Sequence, residues 1–290
     1  MQAVRLSPTD HNVKSESMEL SSLSVSVVLY NHTSRELEPL LESIRESDIE
    51  ITLYLVDNSP TDALANHFSG LKNVEYFFNS KNLGYGSAHN IAIRKSIENG
   101  TKYHLVLNPD VTFKKDVLKR IYQFMEENEE IGLVMPKVLY MDGSIQYLCK
   151  LLPTPMDLLG RRFLPAFMKK LFRSGMEKYE FRHRDYNQQM DVPNLSGCFM
   201  FMRTKALVKA GLFDERFFMY LEDVDLCRRI NAEYRTVYFP LVSIFHGYAK
   251  GSYQGGPLFR YHLTSAFRYF NKWGWFFDRH RRHINKKNIV

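Results

Sequence analysis

Three carboxylates open one helical pattern: Glu222, Asp223 and Asp225, in the stretch FDERFFMYLEDVDLCRR at residues 213–229. At 100° per residue Asp223 shares a face with Leu226, Cys227 and Ile230, whereas Glu222 and Asp225 fall to either side. The spacing predicts an Asp223 that looks inward from the first turn. There unpaired N–H groups and the positive end of the dipole favour the ionised form by ~0.3–1 kcal/mol. A charged carboxylate facing a cleft can take a proton, which is general-base chemistry; the same acids could also simply complement the dipole of a surface helix. A further acid, Asp110, closes the apolar run LVLNPD. At a strand end it could hold Mg²⁺ or Mn²⁺, hard cations that prefer oxygen ligands and bridge to diphosphates. His246, after the run VSIF, could complete that site through an imidazole nitrogen or be structural. Asp57 with Asn58 offers acceptor and donor groups to a nucleobase edge, although a plain turn has the same sequence. The loop NLGYG at 82–86 precedes a helix, so its amides could approach a phosphate.

Placing these groups together calls for alternating strands and helices. β-branched and apolar runs at 24–30, 51–56, 74–78 and 103–107 predict strands, and helical patterns carrying Leu37, Leu40 and Ile44, then 88–97, lie between them. Pro39 predicts that the first of these helices begins close by. Such alternation implies right-handed parallel crossovers, with ligands beyond the carboxyl ends of the strands. Asn31, Asp57, Asn58, the Gly84–Gly86 loop, Asn108 and Asp110 all fall there. Further strands are predicted at 134–140, 197–203, 234–240 and 242–246, a short helix at 205–210, and helix again from Pro257. The proline-containing segment 151–191 reads as an insertion outside the sheet core.

The chain has 290 residues, 44% of them hydrophobic, enough for a substantial core. A net charge of +7 suggests an anionic partner. Its three cysteines, Cys149, Cys198 and Cys227, form no disulfide or metal pattern and fit a reducing cytoplasm. No apolar run approaches the ~20 residues of a spanning helix, and the polar residues 1–22 read as a loose tail, so a soluble or peripheral protein is expected. Large apolar groups alternate with cations at 158–173, and aromatics adjoin a basic cluster at 273–287. Both suit a membrane surface. The first could equally be a core helical pair. No nucleic-acid partner is expected, because no recognisable binding module accompanies the basic run.

The motifs LNPDV at 107–111, NLGYG with Asn90, and FDERFFMYLEDVD at 213–225 occur in this order, and with them the chain resembles the inverting family 2 glycosyltransferases of the GT-A fold. Within these it is similar to the bacterial rhamnosyltransferase-like group, from about Leu23 to Phe270. The resemblance implies a Rossmann-like, mixed but mostly parallel sheet flanked by helices. It divides the chain into a tail (1–22), a nucleotide-sugar-binding half (23–145), an acceptor and catalytic half (146–256), and a C-terminal helix with a basic aromatic tail (257–290). By resemblance Asp223 is the catalytic base and Glu222 orients the acceptor. Tyr30, Asn31, Asp57, Asn58, Asn82, Gly84, Tyr85, Gly86, Asn90 and Asn108 bind the nucleotide sugar, and Asp110 and His246 hold a divalent cation. Asn108-Pro-Asp110 has one acid where the family's DXD-type motif has two. The implied donor is dTDP-rhamnose, or a UDP-hexose or UDP-galactofuranose. The implied acceptor is a polyprenyl-diphosphate-linked glycan at the inner membrane face. A catalytically silent nucleotide-binding protein of polysaccharide assembly is the reading of another class.

Overall fold

The computed structural model describes residues 23–160, 173–247 and 256–289. The tail at 1–22 and most of the basic apolar segment, 161–172, lie outside the described residues. In chain order the elements are β1 (Leu23–Leu29), α1 (Ser34–Arg45), β2 (Ile51–Asp57), α2 (Ala65–Phe68), β3 (Val74–Phe78), α3 (Tyr85–Glu98), β4 (Tyr103–Leu107), β5 (Val111–Phe113), α4 (Val117–Glu127) and β6 (Ile131–Leu139). After a π-helical turn at Met156–Gly160 follow α5 (Arg173–Tyr179), β7 (Met190–Asp191), β8 (Phe199–Arg203), α6 (Thr204–Ala210), α7 (Glu222–Asn231), β9 (Arg235–His246), α8 (Pro257–Trp273) and α9 (Arg279–Ile289).

The strands form one sheet in the order β3-β2-β1-β4-β8-β6-β9-β5, with β7 also paired to β9. β1, β2, β3 and β4 pair in parallel, as do β6 and β9, and these ladders hold most of the paired residues; β8, β5 and β7 pair antiparallel. The sheet is therefore mixed, as expected. The first four strands run the same way, but the order in which they are added reverses at β1, with β2 and β3 on one side and β4 on the other, so the carboxyl ends of β1, β2 and β4 open onto one crevice. One hydrophobic core runs from Leu23 to Ile244 through both halves of the chain.

Three local expectations change. The strands predicted at 234–240 and 242–246 are one, β9, because a bulge absorbs Pro240: Phe239 pairs with Pro136 and Ser243 with the next residue, Lys137. Pro39 lies in the second turn of α1, which Thr33 and Glu36 start with a reciprocal capping box. The segment 151–191 contributes to the core, with Leu151, Tyr179, Phe181 and Tyr186 buried and Met190–Asp191 paired to β9.

Polar groups inside the sheet are ordered. Ser96 donates to the Ala92 carbonyl (3.0 Å) and so accepts from His104 Nδ1 (2.7 Å). Ser26 then donates to His104 Nε2 (2.8 Å) and accepts from His89 Nδ1 (2.7 Å). Burial holds both imidazoles neutral, His104 down to about 3 and His89 well below its ordinary value.

Candidate active site

The acidic helix α7 is entered through two successive left-handed residues, Tyr220 (φ 70°) and Leu221 (φ 65°), which side chains other than glycine rarely adopt. They turn the chain so that Glu222 and Asp223 stand at the helix start. The orientation read from periodicity is corrected here. Glu222 and Asp225 are both buried, and Asp223 is the most accessible of the three acids. The reason is a second covering layer: α8 and the turn after it pack on the flank that the helical wheel left to solvent. Asp225 accepts from Trp273 Nε1 (2.7 Å) and Arg229 Nε (2.9 Å) and pairs with Lys272 (2.7 Å), which makes it a structural acid.

Asp223 accepts from the Gly197 amide (2.9 Å) and from the amide of Val224 (2.8 Å). Burial nevertheless raises its carboxyl above the ordinary aspartate value, outweighing both donors. Glu222 is raised well above the ordinary glutamate value, by burial first and the charge of Asp223 second. Its Oε2 finds no hydrogen-bond partner among the described residues. Both acids line a pocket of about 180 Å³ with Lys150, Ser196, Tyr220 and His262.

From this pocket a continuous polar line runs to Asp110. The Tyr85 hydroxyl lies 2.7 Å from the Gly197 carbonyl and 3.0 Å from Asn108 Oδ1, serving both as donor. Burial, and then the charge of Glu222, keep that hydroxyl protonated. Asn108 Nδ2 in turn donates to His246 Nε2 (3.3 Å), which lies 3.4 Å from Asp110 Oδ1. Backbone pairing fixes this last contact: Val111 opposes His246, and the Gly247 amide donates to the Asp110 carbonyl (3.0 Å). Gln146 sets the imidazole tautomer. Its amide nitrogen donates to the His246 carbonyl (2.8 Å), so its oxygen accepts from His246 Nδ1 (3.0 Å) and Nε2 carries the lone pair.

An imidazole lone pair and a half-exposed carboxylate facing each other fit a divalent cation, with remaining ligands supplied by water or diphosphate oxygens. No group of three or more His, Cys, Asp or Glu side chains arranged to hold a metal ion occurs among the described residues. Asp110 and His246 would supply two ligands to such a cation.

The sequence-predicted nucleotide residues separate into two groups. Tyr30, half exposed, and Asn31, whose amide donates to Ser59 Oγ (2.7 Å), stand at the mouth of the crevice beside the end of β2. Asp57 is buried beneath them, accepting from the Ser59 amide (2.8 Å) and the Tyr76 hydroxyl (2.6 Å). Asn58, Asn82, Gly84, Gly86 and Asn90 are engaged within the protein. Asn58 donates to Gly84 O (3.2 Å) and Asn82 Oδ1 (3.3 Å), and Asn82 accepts the Gly84 amide (2.9 Å). The Tyr85 amide donates to Phe218 O (2.9 Å). The amides of Gly84 and Tyr85, expected to approach a phosphate, thus have protein partners. A Cβ on Gly84 (φ +87°) would come 2.3 Å from Phe218 O, and one on Gly86 2.9 Å from Phe213 Cβ. Both glycines admit the 213–218 loop, which Asn90 also grips by donating to Phe213 O (2.9 Å) and accepting its amide (3.0 Å). Gln146, Gly197, Ser59 and Tyr76 were not singled out by sequence reasoning. No motif or periodicity marks them, since each acts through a contact distant in the chain.

The mixed α/β sheet, with its crevice at the switch point between β1, β2 and β4, has the GT-A architecture of its solved structural neighbours. Residues 24–211 match the family described as Glycosyl transferase family 2, and the chain belongs to that family and is a glycosyltransferase. It is 27% identical over 259 residues to "Rhamnosyltransferase WbbL" of Escherichia coli strain K12, covering 84% of this chain and 92% of that protein. It is also 27% identical over 222 residues to "N-acetylglucosaminyl-diphospho-decaprenol L-rhamnosyltransferase" of Mycobacterium tuberculosis, covering 72% and 71%. Among solved structures it is similar in fold to GalNAc-T7 with UDP, GalNAc and Mn²⁺ (TM-score 0.62, 15% identity), covering 88% of this chain but half of that one. A mannosyltransferase of Pyrobaculum calidifontis in complex with GDP-Man and Mn²⁺ is similar at TM-score 0.54 and 17% identity, covering 87% of this chain and 65% of that one.

Proposed function

We propose that this chain transfers L-rhamnose from dTDP-rhamnose, with inversion, to a hydroxyl of a polyprenyl-diphosphate-linked glycan in the assembly of bacterial surface polysaccharide such as O-antigen or cell wall. The work is done on the inner face of the cytoplasmic membrane, with the protein attached peripherally. The observation that carries the reading is the unbroken polar line from Asp223 through Gly197, Tyr85 and Asn108 to His246 and Asp110. The names of the two bacterial relatives support rhamnose and, in one, a decaprenyl-diphosphate acceptor.

In this mechanism Asp223 accepts the acceptor hydroxyl proton as that oxygen forms its bond to the anomeric carbon. The bond to the diphosphate oxygen breaks on the opposite face and its electron pair leaves with the nucleoside diphosphate. A raised carboxyl suits a base working near neutral pH. Glu222, buried beside Asp223 in the same pocket, orients the acceptor. Tyr30, Asn31 and Asp57 hold the nucleoside, and Asp110 and His246 would hold the divalent cation. When bound, that cation stabilises negative charge on the departing diphosphate.

The test is a donor panel of dTDP-rhamnose, UDP-galactofuranose and a UDP-hexose, run with membrane extract as acceptor source, with and without EDTA. The expected result is release of dTDP from dTDP-rhamnose alone, abolished by EDTA. Turnover of a UDP-sugar instead would move the donor assignment. Nucleotide binding without turnover of any donor would establish the silent reading.

A further inference from the structure

Phe276 and Phe277 are 69% and 89% exposed, in a turn whose neighbours are firmly held. Before them Trp275 packs against Phe270 (5.1 Å) and Phe267 (5.2 Å), and after them Asp278 accepts two hydrogen bonds from Arg228, at 2.6 and 2.8 Å. Arg281 is buried and donates to Pro153 O (3.2 Å) and Trp275 O (3.0 Å). The usual order is inverted: a carboxylate and a guanidinium lie inside while two phenyl rings face out. The expected membrane-facing tail at 273–287 is thereby divided into an anchoring part and a presenting part.

The presenting part is amphipathic in composition. Arg282 donates to Phe276 O (3.2 Å) and holds its guanidinium 6.0 Å from the Phe277 ring centre. Arg279, Arg282, Lys286 and Lys287 are exposed along α9, and residues 279–289 contain no acid. Half-exposed Phe267 extends the aromatic rim onto α8. Rings that protrude beside fixed cations match the depth order of a bilayer, apolar boundary below and phosphate above.

We infer that this face docks on an anionic lipid bilayer, with Phe276 and Phe277 entering the headgroup boundary and the α9 cations meeting lipid phosphates. The same block is tied to the acceptor side. Asn285 exchanges two 2.9 Å hydrogen bonds with the Leu152 backbone, and Leu158, which packs with this aromatic cluster, also lines the pocket of Glu222 and Asp223. Docking would therefore present that pocket beside the bilayer. This orientation rests on the proposed lipid-linked acceptor, but the docking surface does not.

The experiment is co-sedimentation of the full chain with phosphatidylcholine vesicles, alone or with about 30% phosphatidylglycerol to supply the negative surface. Binding is expected only to the anionic vesicles, and it should weaken with salt. Phe276→Ser with Phe277→Ser, and separately Lys286→Glu with Lys287→Glu, should each lower partitioning at least about tenfold. Both variants should hydrolyse dTDP-rhamnose in solution like the parent and melt within a few degrees of it. Equal binding to both vesicle types, no binding, or phenylalanine variants that bind like the parent would overturn the inference. So would retention on single-stranded RNA in place of vesicles. Vesicle binding without donor turnover would refute only the transferase reading, and turnover without vesicle binding only the docking.

Discussion

Asp223 sits where two opposing influences meet, burial raising its carboxyl and two amides lowering it, with burial prevailing. If it is the base, kcat falls as pH drops through a value above the ordinary aspartate range, because the protonated form cannot accept a proton. Asp223→Asn should lower kcat by about 10²–10⁴-fold and remove that acid limb, while titration calorimetry finds nucleotide binding unchanged. Gln146 acts at one remove: by fixing the His246 tautomer it aims a lone pair at Asp110. Gln146→Ala should weaken Mn²⁺ binding about 10- to 100-fold, read by electron paramagnetic resonance of free Mn²⁺ independently of turnover. At this scale the sequence placed Asp110 and His246 at strand ends, and the structure brings these two side chains to 3.4 Å, whereas the orientation of Asp223 depended on the layer packed over its helix. Asn58 and Asn90 show the opposite: their amides suit a ligand and a protein loop equally well, and only the distant chain decides which.

Among elements, the junction between the start of α3 and the 213–218 loop sets how the two halves of the site meet. Gly84→Ala would force a Cβ against Phe218 O and a left-handed backbone on alanine. It should lower the free energy of unfolding by at least about 2 kcal/mol, seen as an earlier urea midpoint, and reduce turnover by shifting α7. The glycines of this loop were legible as special but their partner was not, because periodicity describes one element and this contact joins two. The same limit explains Asp225. A helical wheel shows which residues share a face but cannot show that a second layer, carrying Trp273 and Lys272, covers the flank.

Across the whole molecule, the buried line Ser96–His104–Ser26–His89 has a definite proton order that ends at His89 Nε2, which has no hydrogen-bond partner among the described residues. Both histidines are depressed in the folded state, so unfolding takes up protons once pH falls below the ordinary value of 6.5. Stability is thus fully present above that value and lost below it, by up to about 1.4 kcal/mol per pH unit for each imidazole, down to about 3 for His104. Urea midpoints measured across this range should fall accordingly, and His104→Gln should flatten the slope. The α/β alternation and the position of the crevice were readable from β-branched runs and polar strand ends. The mixed pairing of β8, β6 and β9 was not, since apolar runs carry no direction.

The place of β9 in the sheet has a practical consequence. The match to the family model ends at residue 211, yet β9 lies between β6 and β5 and also pairs with β7. A fragment shortened to the matching segment would leave β6, nine residues long and nearly all buried in the intact chain, as a bare apolar margin. Such margins recruit strands from other molecules. Expression of residues 24–211 alone should yield aggregates, recovered in the insoluble fraction, whereas chains retaining β9 and the helices after it remain dispersed.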